Sequence, residues 1–313
     1  MAGFVSGVAS TLGILPIDKV TLRAGRRGPY HELADAVPGL MPFYSKWELN
    51  YDTVALHEVS KVAWIIPATS VTLYAVGILA GTKFMESRKA FELKRPLAFW
   101  NLFLSVFSLI GSARTMPHLF YNLYAFDFED TICRPAVSMY GCGSTGLWVQ
   151  LFIFSKIPEL FDTLFIVLRK KKLSFLHWYH HITVLLFCWH SYTSESTTGL
   201  YFAVMNYTVH GIMYGYYFLA AVNRLPTWFP PIVVTLGQIA QMIIGVALTV
   251  ISITYYPASA TSSRNCDVKI DNLIVGGLMY ASYFALFVHF AVERYILAPK
   301  RKRKAKAGEK KSE

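Results

Sequence analysis

Charge and cysteine are both scarce in this chain of 313 residues, in which 16% of the side chains are charged and four are cysteines. Soluble domains carry about 25% charged residues, so the deficit argues against one. Intrinsic disorder needs low hydropathy, and 54% of the residues here are apolar. Four cysteines in so long a chain exclude a disulfide-stapled secreted module. Acidic side chains are scarcer than basic ones, 19 against 30, for a formal net charge of +11. That excess does not describe a soluble nucleic-acid binder. Residues 300–313 hold eight Lys and Arg against two Glu and so supply +6 of the +11. Outside that tail there is no low-complexity segment, and there is no internal repeat. The first twenty residues lack a basic stretch and are interrupted by Pro16, so they read as neither a signal peptide nor a span.

Long apolar runs are what the chain has in abundance. A hydrocarbon core of about 30 Å takes about 20 apolar residues per helix. Seven windows meet that length, at 62–82, 97–117, 146–168, 173–193, 199–221, 230–254 and 272–297. The expected fold is therefore all-α, a polytopic membrane protein of seven transmembrane helices over 62–297. Residues 1–61 form an N-terminal arm without an assignment, and 298–313 form a basic tail.

Lys and Arg mark the loops that stay in the cytosol, and their distribution alternates along the chain. Lys83, Arg88, Lys89, Lys94 and Arg95 lie between the first two windows, Arg169 to Lys172 between the third and fourth, and Arg224 between the fifth and sixth. These loops belong with the basic tail on the cytosolic side. The intervening loops at 118–145, 194–198 and 256–271 carry no such excess and face the lumen, as does the N-terminal arm. The chain ends Lys310-Lys311-Ser312-Glu313, a cytosolic dilysine arrangement that predicts retrieval to the endoplasmic reticulum. Cys133, Cys142 and Cys266 all fall in lumenal loops, where one disulfide is compatible with the redox environment.

Ionisable residues inside membrane helices are costly and mark function. The third window contains Lys156, Glu159 and Asp162, spaced to line one cavity or to pair with one another, with Pro158 available to bend the helix. The fourth opens with His177, His180 and His181, at spacing that puts all three on one helical face. Three such imidazoles suit either metal coordination or nucleophilic and general-base chemistry. The chain has nine histidines but only one cluster, which disfavours a di-iron histidine-box centre, and no metal is expected. The fifth window adds Asn206, His210, Tyr214 and Tyr217 on one face, and the sixth adds Thr235, Gln238 and Gln241 as a polar stripe. That stripe suits either substrate contact or hydrogen bonding between helices.

These residues, in the order Lys156-xx-Glu159-xx-Asp162-Thr163, His177-xx-His180-His181, Asn206-xx-Val209-His210-xx-Met213-Tyr214-x-Tyr216-Tyr217 and Thr235-xx-Gln238-xx-Gln241, resemble the motif set of the ELO fatty acid elongases. The resemblance covers about residues 83–297, including Arg88-x-x-Phe91-x-Leu93-Lys94-x-Pro96, and leaves residues 1–60 unmatched. It implies seven helices, the last six forming a barrel around an acyl tunnel, and a very-long-chain 3-oxoacyl-CoA synthase. In that reaction acyl-CoA and malonyl-CoA condense to 3-ketoacyl-CoA with release of CoA and carbon dioxide, without a cofactor. The implied partners are membrane lipid and the 3-ketoacyl-CoA reductase, 3-hydroxyacyl-CoA dehydratase and enoyl-CoA reductase of the elongation cycle. Homo- or hetero-oligomeric assembly is left open, and nucleic acid is not a partner. Leu176 to Leu186, with Trp178 and Tyr179, is similar to the elongases of saturated and monounsaturated C16 acyl chains, and a C18 polyunsaturated chain is the alternative. The family's lumenal disulfide maps to Cys133 and Cys266, with Cys142 as the alternative partner of Cys266.

Condensation needs a nucleophile that holds the acyl group and donors for the enolate oxygen. The expected roles are an acyl-imidazole on His180, orientation or proton transfer by His177 and His181, and enolate stabilisation by His210 with Asn206. Lys156, Glu159 and Asp162 would fix protonation, and Arg88, Arg169 and Lys170 would meet the phosphates of CoA. A histidine-box desaturase and a non-enzymatic seven-span lipid sensor are the competing readings.

Overall fold

The computed structural model describes residues 13–26, 28–261 and 266–298, the last helical turn before the 262–265 break by its backbone only. The dilysine end lies outside the described residues. The arm begins with a two-stranded antiparallel hairpin, β1 (Arg23–Gly25) and β2 (Gly28–Tyr30), followed by short helical turns and a helix at Val54–Val62. Arg23 clamps this arm by donating from Nε and Nη2 to the Asp35 carboxylate at 2.5 and 2.8 Å.

Eight longer helices follow: α1 (Ile65–Glu86), α2 (Lys94–Ala125), α3 (Gly143–Ser155), α4 (Phe161–Leu168), α5 (Phe175–Thr193), α6 (Gly199–Ala221), α7 (Pro231–Thr261) and α8 (Ile270–Ala291). A π-helical turn at Val292–Leu297 extends α8. Among the described residues, four helices are long and apolar enough to cross a membrane: α1, α2, α7, and α8 with its extension. The chain is thus an all-helical polytopic membrane protein. The three remaining windows also form helix but do not meet that test, and they are the three that carry the charged and histidine motifs. Pro158 divides the third into α3, a 3-10 turn at Pro158–Leu160 and α4. Histidine, asparagine and tyrosine lower the hydropathy of α5 and α6.

Small residues let the helices approach. α2 and α6 form the most extensive pair, and a Cβ at Gly111 would stand 2.4 Å from the Tyr207 ring, so only glycine permits the contact. Gly245 of α7 admits the Tyr280 ring of α8 in the same way. Each helix meets the next in the order α2, α6, α7, α8, α5, α3 and back to α2. α1 stands outside this ring against α4 and α5, and only 11% of its apolar window is buried. Its inward residues are Pro67, Tyr74 and Met85.

The arm closes one end of the ring. Glu32 accepts from the backbone N–H of Leu33 and, across the chain, of Ser144 at the start of α3. Gly143 has φ of +63°, and a Cβ there would meet Glu32 Oε2 at 2.1 Å, so glycine serves both the left-handed backbone and the close approach. Glu48 accepts from Arg114 Nε, Ser144 Oγ and Trp148 Nε1 at 2.7, 2.8 and 2.9 Å. Burial pushes the Glu32 carboxyl up to about 7. It pushes Glu48 the same way, but the three donors hold that carboxyl below its usual range. A disulfide joins Cys133 to Cys266, while Cys142 and Cys188 are buried outside it.

Candidate active site

Helix α5 starts where Ser174 caps it, its hydroxyl accepting from His177 N–H. That start places His177, His180 and His181 in the first two turns. The His177 and His181 ring centres are 4.5 Å apart, and those of His180 and His181 5.5 Å. Facing them on α6 are Asn206, His210 and Tyr214, all buried.

Pro158 ends α3 in time for Lys156 to turn inward. Its ammonium donates to Glu159 Oε1 at 2.7 Å and to Asn206 Oδ1 at 3.0 Å. The second contact fixes the Asn206 amide, which then donates from Nδ2 to His210 Nε2 at 3.2 Å. The other His210 nitrogen, Nδ1, stands 3.8 Å from Glu159 Oε2. Lysine, glutamate, asparagine and histidine thus form a chain in which the buried ammonium and carboxylate pair directly, while Glu159 Oε2 makes no hydrogen bond among the described residues. Asp162 belongs to a different set. The charge spacing allowed it to pair with Lys156, but its carboxylate accepts from Trp100 Nε1 and Tyr214 Oη, both at 2.6 Å.

One cavity of about 640 Å³ collects the three α5 histidines, Asn206, His210, Asp162, Tyr214, Tyr217, Gln238, Gln241 and Arg169. Lys156 and Glu159 stand behind its wall. Thr235 is turned to Tyr295 Oη, Lys170 donates to the backbone carbonyls of Glu86 and Arg88, and Arg88 lies over the Phe84 ring. These three do not line the cavity. Lys94, Asn101, Lys171 and Ser174 do. Asn101 and Trp100 were detectable as polar groups inside the second apolar window, although nothing in the periodicity assigns them to this site.

Asn206 also lines a second, narrow apolar slot of about 50 Å³ bordered by Val149, Phe152, Val184, Phe187 and Met279. Tyr140, Ser191, Tyr192 and Gly199 line it too. Tyr192 Oη accepts from Gln150 Nε2 at 2.5 Å, and Gln150 Oε1 accepts from Tyr51 Oη of the arm at 2.7 Å. Tyr140 donates to the Ser196 carbonyl. A smaller space of about 20 Å³, reaching Thr53 and His57, lies on the far side of Tyr140, Val149 and Tyr192. The arrangement is a polar chamber with a basic mouth, and an apolar slot that meets it at Asn206.

Comparison with known proteins matches residues 60–305 to the family described as ELO: GNS1/SUR4. Over 227 residues the chain is 44% identical to very long chain fatty acid elongase 6 of Drosophila melanogaster, covering 72% of this chain and 71% of that one. It is 43% identical over 224 residues to the same-named protein of Gallus gallus, covering 72% and 82%. To fatty acid elongase 3 of Trypanosoma brucei brucei it is 37% identical over 279 residues, covering 81% and 87%.

Proposed function

The chain belongs to the ELO family, and from that membership together with the chamber described above we propose that it is a fatty acid elongase condensing a C16-type acyl-CoA with malonyl-CoA. The reaction runs in two steps. A His180 ring nitrogen attacks the thioester carbonyl and expels CoA, leaving an acyl-imidazole. Malonyl-CoA then loses carbon dioxide, and the resulting enolate carbon attacks the acyl carbonyl, releasing 3-ketoacyl-CoA and restoring His180. His181 sits beside His180 to take and return protons, His177 orients the pair, and Asn206, its amide held by Lys156 and His210, steadies the enolate oxygen with its second N–H. The Lys156–Glu159 pair holds the Asn206 amide in the orientation that step needs. Lys94, Arg169 and Lys171 at the mouth meet the phosphates of CoA.

The length of α5 beside the slot supports the chain-length reading. His180 and Tyr192 are twelve residues apart on one continuous helix, about 18 Å at 1.5 Å per residue. Carbon–carbon bonds of about 1.5 Å at tetrahedral angles advance about 1.25 Å per carbon, so the distance accommodates about 14 carbons beyond the carbonyl. That favours a saturated or monounsaturated C16 acyl group over a kinked, longer polyunsaturated one.

The same reading makes the α2, α6, α7, α8, α5, α3 ring a barrel around the acyl chain, with α1 as the seventh span outside it. The basic loops support a cytosolic mouth in the endoplasmic reticulum membrane, where the reductase, dehydratase and enoyl reductase of the cycle would take the product onward. A disulfide at the opposite end suits the lumen.

The observation that carries the proposal is four histidines from two helices lining a single chamber, with an apolar slot adjoining it at Asn206. Its test is incubation of the purified protein with palmitoyl-CoA alone. The expected result is stoichiometric CoA release and an acyl adduct on His180 by mass spectrometry, both lost in His180→Ala. Absence of CoA release from the wild type would overturn the two-step route.

A further inference from the structure

Helix α1 lies outside the ring, yet one of its three buried side chains reaches the histidines. Tyr74 Oη is 2.7 Å from Thr163 Oγ1, and Thr163 Oγ1 is 2.9 Å from His177 Nε2. Tyr74 is 8% exposed and Thr163 2%. Among the described residues Thr163 is the one hydrogen-bond partner of the Tyr74 phenol, and His177 Nε2 has no other partner than Thr163.

These three groups share few protons, and the count decides their direction. Phenol and hydroxyl carry one proton each, and neutral imidazole carries one on either nitrogen. If His177 Nε2–H donated to Thr163 and Thr163 to Tyr74, the phenol proton would be left without an acceptor. If Tyr74 and His177 both donated to Thr163, the threonine proton would be stranded instead. An imidazolium would strand one of those protons too and would add a charge among apolar helices. A buried donor without an acceptor is the costly arrangement. Only one direction pairs both hydroxyl protons and leaves the imidazole proton on the nitrogen free to face the chamber: Tyr74 donates to Thr163, and Thr163 donates to His177 Nε2.

We infer that Tyr74, acting through Thr163, is a positioning residue that holds His177 in the Nδ1–H tautomer, so that His177 serves the chamber as a hydrogen-bond donor and not as a base. This deepens the elongase reading and rests on it for its kinetic part. It separates the roles of the three α5 histidines. His177 supplies a directed N–H, which suits an acyl or enolate oxygen, while His180 and His181 keep the lone pairs needed to attack and to accept a proton. It also explains why the first span belongs to the protein at all although it stands outside the ring.

The test uses the full-length protein in lipid nanodiscs with Tyr74→Phe, Thr163→Val, Thr163→Ser and the Tyr74→Phe/Thr163→Val double variant. For condensation of palmitoyl-CoA with malonyl-CoA, Tyr74→Phe and Thr163→Val are expected to lower kcat on the order of tenfold with KM for both substrates unchanged. The double variant falls no further than Thr163→Val, because both remove one relay. Thr163→Ser retains kcat. Nitrogen-15 NMR of labelled histidine, with His177 assigned by loss of its signals in His177→Asn, is expected to show Nδ1 protonated in the wild type and a tautomer mixture in Tyr74→Phe. Wild-type kcat and an unchanged tautomer in Tyr74→Phe would overturn the inference, as would additive losses in the double variant. If Tyr74→Phe does not fold, equal kcat in Thr163→Val and Thr163→Ser overturns it. If the wild type does not condense the substrates at all, the elongase reading fails and the tautomer measurement alone still decides the relay.

Discussion

Glu32 shows how far a single side chain can depart from the behaviour of its type. It is 1% exposed, and its two carboxylate oxygens accept from the N–H groups of Leu33 and Ser144, yet burial outweighs those donors and raises it from 4.5 to about 7. A carboxyl raised on folding binds its proton more tightly in the native state. Its contribution is therefore fully present below about 4.5 and is lost as pH rises through about 7, at up to about 3 kcal/mol. Glu32→Gln cannot ionise, so a thermal-unfolding series from pH 5 to 8 should lose that decline. At pH 5 the variant will be less stable than the wild type, because an amide has one oxygen where the carboxyl offers two. At pH 8 the order narrows or reverses; a slope identical to wild type would show that Glu32 does not titrate in this window. Glu48, held below its usual range by Arg114, Trp148 and Ser144, does not supply this slope, since its sign is opposite. Neither glutamate was legible as special in the sequence, where both read as ordinary arm charges.

The helices differ in how tightly they are committed to their neighbours, and glycine marks the difference. At Gly111 the Tyr207 ring occupies the place a side chain would need, and Tyr207 is in turn tied to the Trp148 carbonyl at 2.8 Å. At Gly77 of α1 nothing stands within 4 Å of the same position. Gly111→Leu should cost more than about 3 kcal/mol by overpacking and collapse the yield of folded protein. Gly77→Leu should be purified at wild-type yield with wild-type condensation activity. Equal yields of the two would mean that α2 and α6 are not in the contact described. The periodic placement of His177, His180 and His181 was readable because helical geometry alone puts them on one face. The break at Pro158 was readable for a similar reason, since proline cannot donate to the preceding turn. That Asp162 serves Trp100 and Tyr214, with Lys156 left to Glu159 and Asn206, was not readable, because charge spacing within one helix is silent about which neighbouring helix supplies the donors.

On the proposed reading, the arm, the ring of helices and the slot together set chain length. Tyr192 lines the slot, and Gln150 and Tyr51 hold its hydroxyl from the arm side. Tyr192→Ala should join the slot to the space beneath the arm and raise the longest product by at least one two-carbon cycle. The fatty-acid profile of a host expressing it reads the result directly, and an unchanged ceiling with condensation intact would move the floor elsewhere. Hydropathy, the alternation of basic loops and four helix-spaced motifs already specified a polytopic elongase-like chain, since each is a local property carried by neighbouring residues. Folding added what no local pattern carries. It brought Tyr74 to His177 from 103 residues away, set an arm without any motif beneath Tyr192, and divided the buried charges among partners on different helices. Those outcomes depend on close approach between helices far apart in the chain, and side-chain contact at that range is a consequence of packing, which only the assembled bundle defines.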